Sequence, residues 1–228
     1  NGGCAEGIGR EGDGPGRAGR PTLPPLADEE IRSTLRPKQT RDGYPVRQGR
    51  GVMAGPSDTF LAYGRAWSTV SNTPFRKHKH WVHEGGIATP LIAHWPRGIT
   101  NPGRLEPAPG HLIDIMATAI DLAEIDYPAD RIPLEGRSLA ALFRSGSIER
   151  EPLYWEHEGN RAVREGNWKL VSEHGKPWEL YDLARDRSEQ RDLAGEQPAV
   201  AERLAGLWQA WADRTNVLPW EEVQAARP

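Results

Sequence analysis

The protein has 228 residues, of which 37% are hydrophobic and 27% charged, with a formal net charge of −3 from 29 basic and 32 acidic residues. The opposite charges are well mixed, so no strong field favours a nucleic-acid partner. No apolar run approaches the roughly 20 residues that a membrane-spanning helix needs, and we expect no membrane anchor. The single cysteine, Cys4, excludes a disulfide framework or a multi-cysteine zinc site within this chain.

The first part of the chain is rich in turn-forming residues. Of the first 25 residues, 12 are Gly or Pro, and this character persists to about Pro56, which predicts long loops over 1–56. The sequence starts at Asn1 and shows no signal-peptide pattern, so we expect it to begin at an internal position.

The middle of the chain predicts one strand and one core helix. Residues 88–94, ATPLIAH, form a short apolar run between Gly85-Gly86 and a proline, which predicts a buried strand entered from a turn. In HLIDIMATAIDLAEI the apolar residues recur at helical spacing, which predicts a helix with one face against a sheet. His111 and Asp114, at its start, are explained better by capping and buried hydrogen bonds than by chemistry.

Beyond about Arg150 the pattern changes to short alternating pieces: PLYWEH, RAVR, WKLV and WELYDL. Turn residues separate them, which predicts an antiparallel meander of roughly four strands. A helix from about 197 to 213 follows, with an apolar stripe that can cover one face of that sheet. The stripe consists of Val200, Leu204, Leu207, Trp208 and Trp211.

The most cationic stretch, NTPFRKHKHWVHEGGIATPLIAHWP at 72–96, allows three interpretations. The first is a solvated loop. The second is an oxyanion site, because a lysine that precedes a glycine pair and a core strand lies at the edge of a sheet, where loops come together. The third interpretation is a metal site. His78 and His80 share a strand face, and His80 and His83 share a helix face, although no one regular conformation aligns all three.

This stretch resembles the signature of the sulfatase family. In that signature a lysine is followed, after four intervening residues, by Glu-Gly-Gly and then by a buried strand ending in Trp-Pro. Lys79 stands at this distance from Glu84-Gly85-Gly86, and Lys77 does not. The resemblance runs from Asn1 to about Trp220 and is closest in character to the bacterial arylsulfatase type.

The resemblance implies an α/β fold of the alkaline-phosphatase-like class. Residues 1–150 would form the C-terminal part of the catalytic domain, with its large mixed sheet and the loop-rich start over 1–56. Residues 151–228 would form a small antiparallel sheet with one C-terminal helix.

The resemblance also implies site residues. Lys79 would contact the sulfuryl group as a catalytic and substrate-binding residue. NGGCAEG resembles the Ser-Asp-Asn-Gly-Gly element of the family, which makes Asn1 an amide-oxygen ligand of a divalent cation, and calcium suits oxygen ligands. His157 is a further candidate for substrate binding, although polar residues on a short strand more often form its solvated face.

One departure from the family pattern stands out. Sulfatases act through a Cys or Ser in Cys-x-Pro-x-Arg, oxidised to formylglycine, whereas Cys4 lies in CAEGI without that Pro and Arg. The nucleophile, the first acidic metal ligands and the catalytic histidines would therefore lie in an N-terminal part outside this chain, and the chain alone is expected to be inactive.

The resemblance implies a small-molecule or carbohydrate sulfate ester as substrate and a periplasmic or secreted location, and it leaves the particular ester and the oligomeric state open. Two alternatives remain open as well. One is a phosphodiesterase or phosphonate hydrolase of the same superfamily. The other is a non-catalytic fragment that serves interaction or carbohydrate binding.

Overall fold

A computed structural model describes residues 20–30, 37–48, 52, 55–60, 64–144 and 146–226. The elements in chain order are α1 (Gly64–Asn72), α2 (Glu84–Ile87), α3 (Asp114–Leu122), α4 (Ala140–Phe143), β1 (Leu153–His157), β2 (Asn160–Glu165), β3 (Trp168–Ser172), β4 (Glu179–Asp182), α5 (Pro198–Arg214) and α6 (Trp220–Ala225). Within the described part of the chain, no helix is both long and apolar enough to cross a membrane.

The described residues fall into two compact units. The first runs up to Ala88 and includes Arg187–Gln190, and the second comprises Thr89–Asp186 and the residues from Arg191 onward. Up to residue 60, the described stretches contain isolated β-bridges and neither helix nor strand. The division into domains at residue 150 stays a prediction.

The second unit contains a four-stranded antiparallel sheet with the order β1-β2-β3-β4. Each strand pairs with the next one along the chain, which makes the sheet a meander. In the β1–β2 turn, Glu158 and Gly159 have φ values of 53° and 80°, the left-handed pair that a two-residue type I′ hairpin requires. The predicted antiparallel sheet is confirmed.

Helix α5 covers one face of this sheet and completes its core. It begins at Pro198, where a missing backbone N–H costs little. The residues that the helix buries lie four apart, on one face, and meet the central residues of three strands. The cluster consists of Val163, Leu170, Leu180, Leu204, Trp208 and Ala212, with Val200, Leu207 and Trp211 packed against it. The predicted helix and its apolar stripe are confirmed.

Helix α3 is present as predicted, but it buries a different face. Leu112, Ile115 and Met116 are 79%, 48% and 53% exposed, whereas Asp114 and Thr118, on another face, are buried. The expectation that the apolar stripe packs against a sheet is therefore wrong for this structure. One face of the single sheet of the described residues is covered by α5, and hydrogen bonds of Asp114 and Thr118 connect α3 to other segments.

Asp114 is fully buried and joins three segments of the second unit. Its Oδ2 accepts a hydrogen bond from the His111 N–H at 2.7 Å, and its Oδ1 accepts one from the Arg137 N–H at 2.8 Å. The Arg150 guanidinium donates to both oxygens, at 3.0 and 2.5 Å. Burial by itself raises the pKa of Asp114, but the hydrogen bonds from Arg150, Arg137 and His111 outweigh it and hold that pKa below its ordinary value. These contacts support the structural interpretation of His111 and Asp114.

The segment 88–94 forms no strand, and here the prediction is wrong. Leu91 and Ile92 are 60% and 89% exposed. A strand needs a neighbour to pair its backbone N–H and C=O groups, and the described residues provide no strand beside this segment.

Candidate functional site

The predicted site lies on a loop that backbone hydrogen bonds close at its base. The Gly85 N–H donates to the Arg76 carbonyl at 2.9 Å, and the Ala88 N–H donates to the Glu84 carbonyl at 2.8 Å. Glu84–Ile87 therefore form one helical turn, α2, where the sequence predicted a turn leading into a strand. We call residues 76–85 the Lys79 loop.

Both glycines of α2 are there because of close packing. A Cβ on Gly85 would collide with the carbonyl oxygens of Arg76 and Lys77, and a Cβ on Gly86 with that of Trp81. Neither glycine has a left-handed φ. The predicted reason for the pair, permissive backbone at a turn, is thus replaced by the space that neighbouring carbonyls need.

We expect Gly86→Ala to destabilise the protein by about 1–3 kcal/mol, because the added methyl group has to displace the Trp81 carbonyl. Gly206→Ala is the matched control, since Gly206 lies within α5 with open space around it. There alanine removes the excess conformational entropy of glycine, which is worth about 0.5–1 kcal/mol in favour of folding. Urea unfolding measures both effects, and equal small shifts would contradict the close packing.

Two residues with left-handed backbone flank Lys79. Lys77 has φ 69° and His80 has φ 86°, a region that residues other than glycine seldom adopt unless their surroundings hold them there. The Trp81 ring lies 4.7 Å from the His78 ring in a T-shaped contact. The tip of the loop therefore has a defined conformation.

The two lysines of the loop have different surroundings. The Lys77 ammonium lies 5.3 Å from the centroid of the Trp81 ring. Lys79 is exposed, and the structure gives it no ion pair or hydrogen bond with any described residue. An ammonium without a neighbouring carboxylate keeps its three donors for an anion. Lys79, which has the family spacing, is thus available to an oxyanion, and its catalytic role stays a prediction.

The histidines of this loop do not assemble as a metal site. His78 and His83 are 4% and 0% exposed, and the ring nitrogens of His78, His80 and His83 do not converge among the described residues. Burial, followed by the positive charges of Arg65, His80 and Lys77, lowers the pKa of His78. These surroundings therefore favour the neutral form of the ring, which packs against the Trp81 ring.

A distant segment, Arg187–Gln190, contacts the Lys79 loop within the first unit. The Glu84 N–H donates to Glu189 Oε2 at 2.8 Å, and the Arg76 guanidinium donates to the Glu189 carbonyl at 3.3 Å. Arg187 Nε donates to Glu84 Oε2 at 3.2 Å. Sequence reasoning missed these contacts, because Glu84 and Glu189 are 105 positions apart and no local pattern relates them.

The other predicted site residues belong to other parts of the chain. His157 is exposed at the end of β1, and its carbonyl accepts a hydrogen bond from Asn160 Nδ2 at 2.9 Å; its substrate role stays a prediction. Asn1, the predicted cation ligand, and Cys4 lie outside the described residues.

A known family covers this loop and most of the chain after it. The family model for the C-terminal region of N-sulphoglucosamine sulphohydrolase matches residues 75–213. The chain belongs to the sulfatase family. The matched region begins at the loop that carries Lys79 and ends within α5, so it is the C-terminal portion of a sulfatase.

Curated relatives are sulfatases as well. The chain is 30% identical to an uncharacterized sulfatase of Schizosaccharomyces pombe, over 72% of this chain and 32% of the relative. It is 31% identical to the steryl-sulfatase of Mus musculus, over 69% and 31%, and 28% identical to an N-acetylgalactosamine-6-O-sulfatase of Bacteroides thetaiotaomicron, over 58% and 29%. The chain spans about a third of the length of these sulfatases.

Among solved structures, the sulfatase chain is similar to the crystal structure of Ps i-CgsB, with a TM-score of 0.56 and 24% identity over 61% of this chain and 32% of that one. This likeness concerns the fold. The predicted fold class, an α/β alkaline-phosphatase-like sulfatase fold with a small antiparallel sheet and a C-terminal helix, is confirmed.

Proposed function

We propose that this chain is the C-terminal part of an enzyme that hydrolyses sulfate esters and that Lys79 binds the sulfuryl group during the reaction. The observation that carries the proposal is an exposed ammonium, unengaged by the described residues, on a loop whose base is closed by hydrogen bonds. Membership of the sulfatase family supplies the reaction class.

Lys79 acts by electrostatics. When a nucleophile attacks sulfur, negative charge grows on the sulfuryl oxygens and on the departing oxygen, and a fixed ammonium stabilises that charge more than it stabilises the ground state. The side chain of a lysine is long and flexible, so part of this stabilisation would be lost in ordering the chain around the charge. The hydrogen-bonded base of the loop reduces that loss, because the backbone that carries Lys79 is already in place.

The remaining chemistry belongs to groups outside the described residues. Asn1 would be one ligand of a divalent cation, calcium by our proposal, which when bound would supply Lewis-acid stabilisation of the sulfuryl group. The nucleophile is proposed to be a formylglycine in the N-terminal part of the enzyme, since Cys4 lacks the surrounding Pro and Arg.

An aryl sulfate is the first substrate to test, because the stretch at 72–96 resembles the bacterial arylsulfatase type. The names of several relatives favour a second candidate, a 6-sulfated hexosamine: N-acetylgalactosamine-6-sulfatases of mammals and of Bacteroides thetaiotaomicron are among them. Measuring kcat/KM for an aryl sulfate and for N-acetylgalactosamine 6-sulfate separates the two. We place the enzyme in the periplasm or outside the cell.

We expect the purified 228-residue chain to show no turnover of an aryl sulfate, whereas the full-length enzyme that contains it turns the ester over. The physical reason is that Lys79 stabilises charge but provides neither nucleophile nor cation. Sulfate release, measured by ion chromatography, checks both proteins.

Two results together would overturn this division of roles. The 228-residue chain would keep its turnover through purification, and mass spectrometry would show Cys4 converted to formylglycine. Hydrolysis of a phosphate diester by the full-length enzyme in preference to any sulfate ester would overturn the reaction class.

A further inference from the structure

We propose that Glu189 is a positioning residue for Lys79, holding together both ends of the loop that carries it. This inference rests on the proposed function of Lys79. Glu189 touches neither substrate nor reacting atoms in this proposal, and it acts through the backbone of the Lys79 loop.

Glu189 contacts the two ends of the loop by two different groups. Its carboxylate accepts the Glu84 N–H at 2.8 Å, at the end of the loop, and its backbone carbonyl accepts the Arg76 guanidinium at 3.3 Å, at the beginning. The Gly85 N–H to Arg76 carbonyl bond closes the loop between these points. Lys79 projects from the residues in between, so the position of its backbone depends on this closure.

The conformation of Glu189 points the same way. It is fully buried and has φ 57°, a left-handed backbone in which glycine or asparagine would be at ease and a glutamate is strained. If this position served only to turn the chain, glycine would adopt the same backbone conformation with less strain. The glutamate is explained by its carboxylate, which accepts the hydrogen bond from the Glu84 N–H.

Arg187 reinforces the contact from outside. Its guanidinium pairs with the Glu84 carboxylate, 3% exposed in its side chain, and lies 5.1 Å from the centre of the Phe75 ring. Glu84 is thus held through its N–H by Glu189 and through its side chain by Arg187. Both contacts come from one segment, 187–190, which links the loop to sequence far beyond it.

The test compares Glu189→Gly, Glu189→Gln and a matched control. Glycine relieves the backbone strain but removes the acceptor, whereas glutamine keeps an acceptor oxygen. Glu124→Gly is the control, because Glu124 is an exposed glutamate with φ 53° outside the first unit. Two readouts are taken: kcat and KM of the full-length enzyme on its sulfate ester, and hydrogen exchange over residues 76–86 in the 228-residue chain.

We expect Glu189→Gly to lower kcat by about 10- to 100-fold with KM changed less than about twofold, since a misplaced catalytic group costs rate before it costs binding. Amide exchange over 76–86 should become about tenfold faster. Glu189→Gln should recover most of both, and Glu124→Gly should change neither.

Unchanged kcat in Glu189→Gly, in an enzyme where Lys79→Ala is inactive, would overturn the positioning role. So would equal losses in the Gly and Gln variants, because they would tie the effect to charge or general stability. If Lys79→Ala itself left kcat intact, the proposed function would fail; the exchange readout would still decide whether Glu189 holds the loop.

Discussion

Lys79→Ala in the full-length enzyme is expected to lower kcat by about 100-fold or more, while Lys77→Ala leaves kcat nearly unchanged. Removing one preorganised donor to a developing negative charge costs roughly 2.7–4 kcal/mol of transition-state stabilisation. Lys79 is exposed and unengaged by described residues, whereas the Lys77 ammonium lies against the Trp81 ring. We therefore expect Lys79, and not Lys77, to contact the substrate.

Steady-state kinetics on the two variants measures the difference, and circular dichroism confirms that both are folded. Equal losses in the two variants would show that the stretch acts as a general cationic patch. A change confined to KM in Lys79→Ala would show that this lysine binds ground state and transition state alike.

Asp114→Asn is expected to lower the free energy of unfolding by about 3–5 kcal/mol, because it leaves the Arg150 guanidinium facing a buried group without charge. The side chains of Asp114 and Arg150 are 0% and 10% exposed. Glu135→Gln is the matched control. It makes the same change in an ion pair with Arg214 whose side chains are 46% and 59% exposed, and such exposed pairs contribute about 0–1 kcal/mol.

The pH dependence of stability gives an independent check. The pKa of Asp114 is held below its ordinary value of 3.8, so its ion pair stabilises the folded state above about pH 4 and this contribution is lost as the pH falls through the lowered pKa. Wild type should therefore lose stability below pH 4 more steeply than Asp114→Asn. Parallel acid-unfolding curves for the two proteins would contradict the assigned ion pair.

The sequence determined the sheet β1–β4 and the helix α5 well, because their structure depends on local pattern. Alternation and turn residues specify four consecutive strands, and an apolar stripe specifies the helix α5 that covers them. Neighbours in the sequence are neighbours in the sheet, so register and burial follow from spacing that can be read directly. The spacing of Lys79 from Glu84-Gly85-Gly86 also identified the family, through residues that are adjacent in the chain.

Only the tertiary structure decided what depends on distant partners. Residues 88–94 have the composition of a buried strand, but a strand requires a neighbour that the described residues do not supply. The apolar stripe of α3 is exposed for the same reason, and the helix is held by Asp114 and its partners on the other face. The contact of Glu189 with Glu84 crosses 105 positions. Hydrogen bonds between such residues leave no periodic trace in a sequence, because each depends on one pair of atoms meeting in the folded chain.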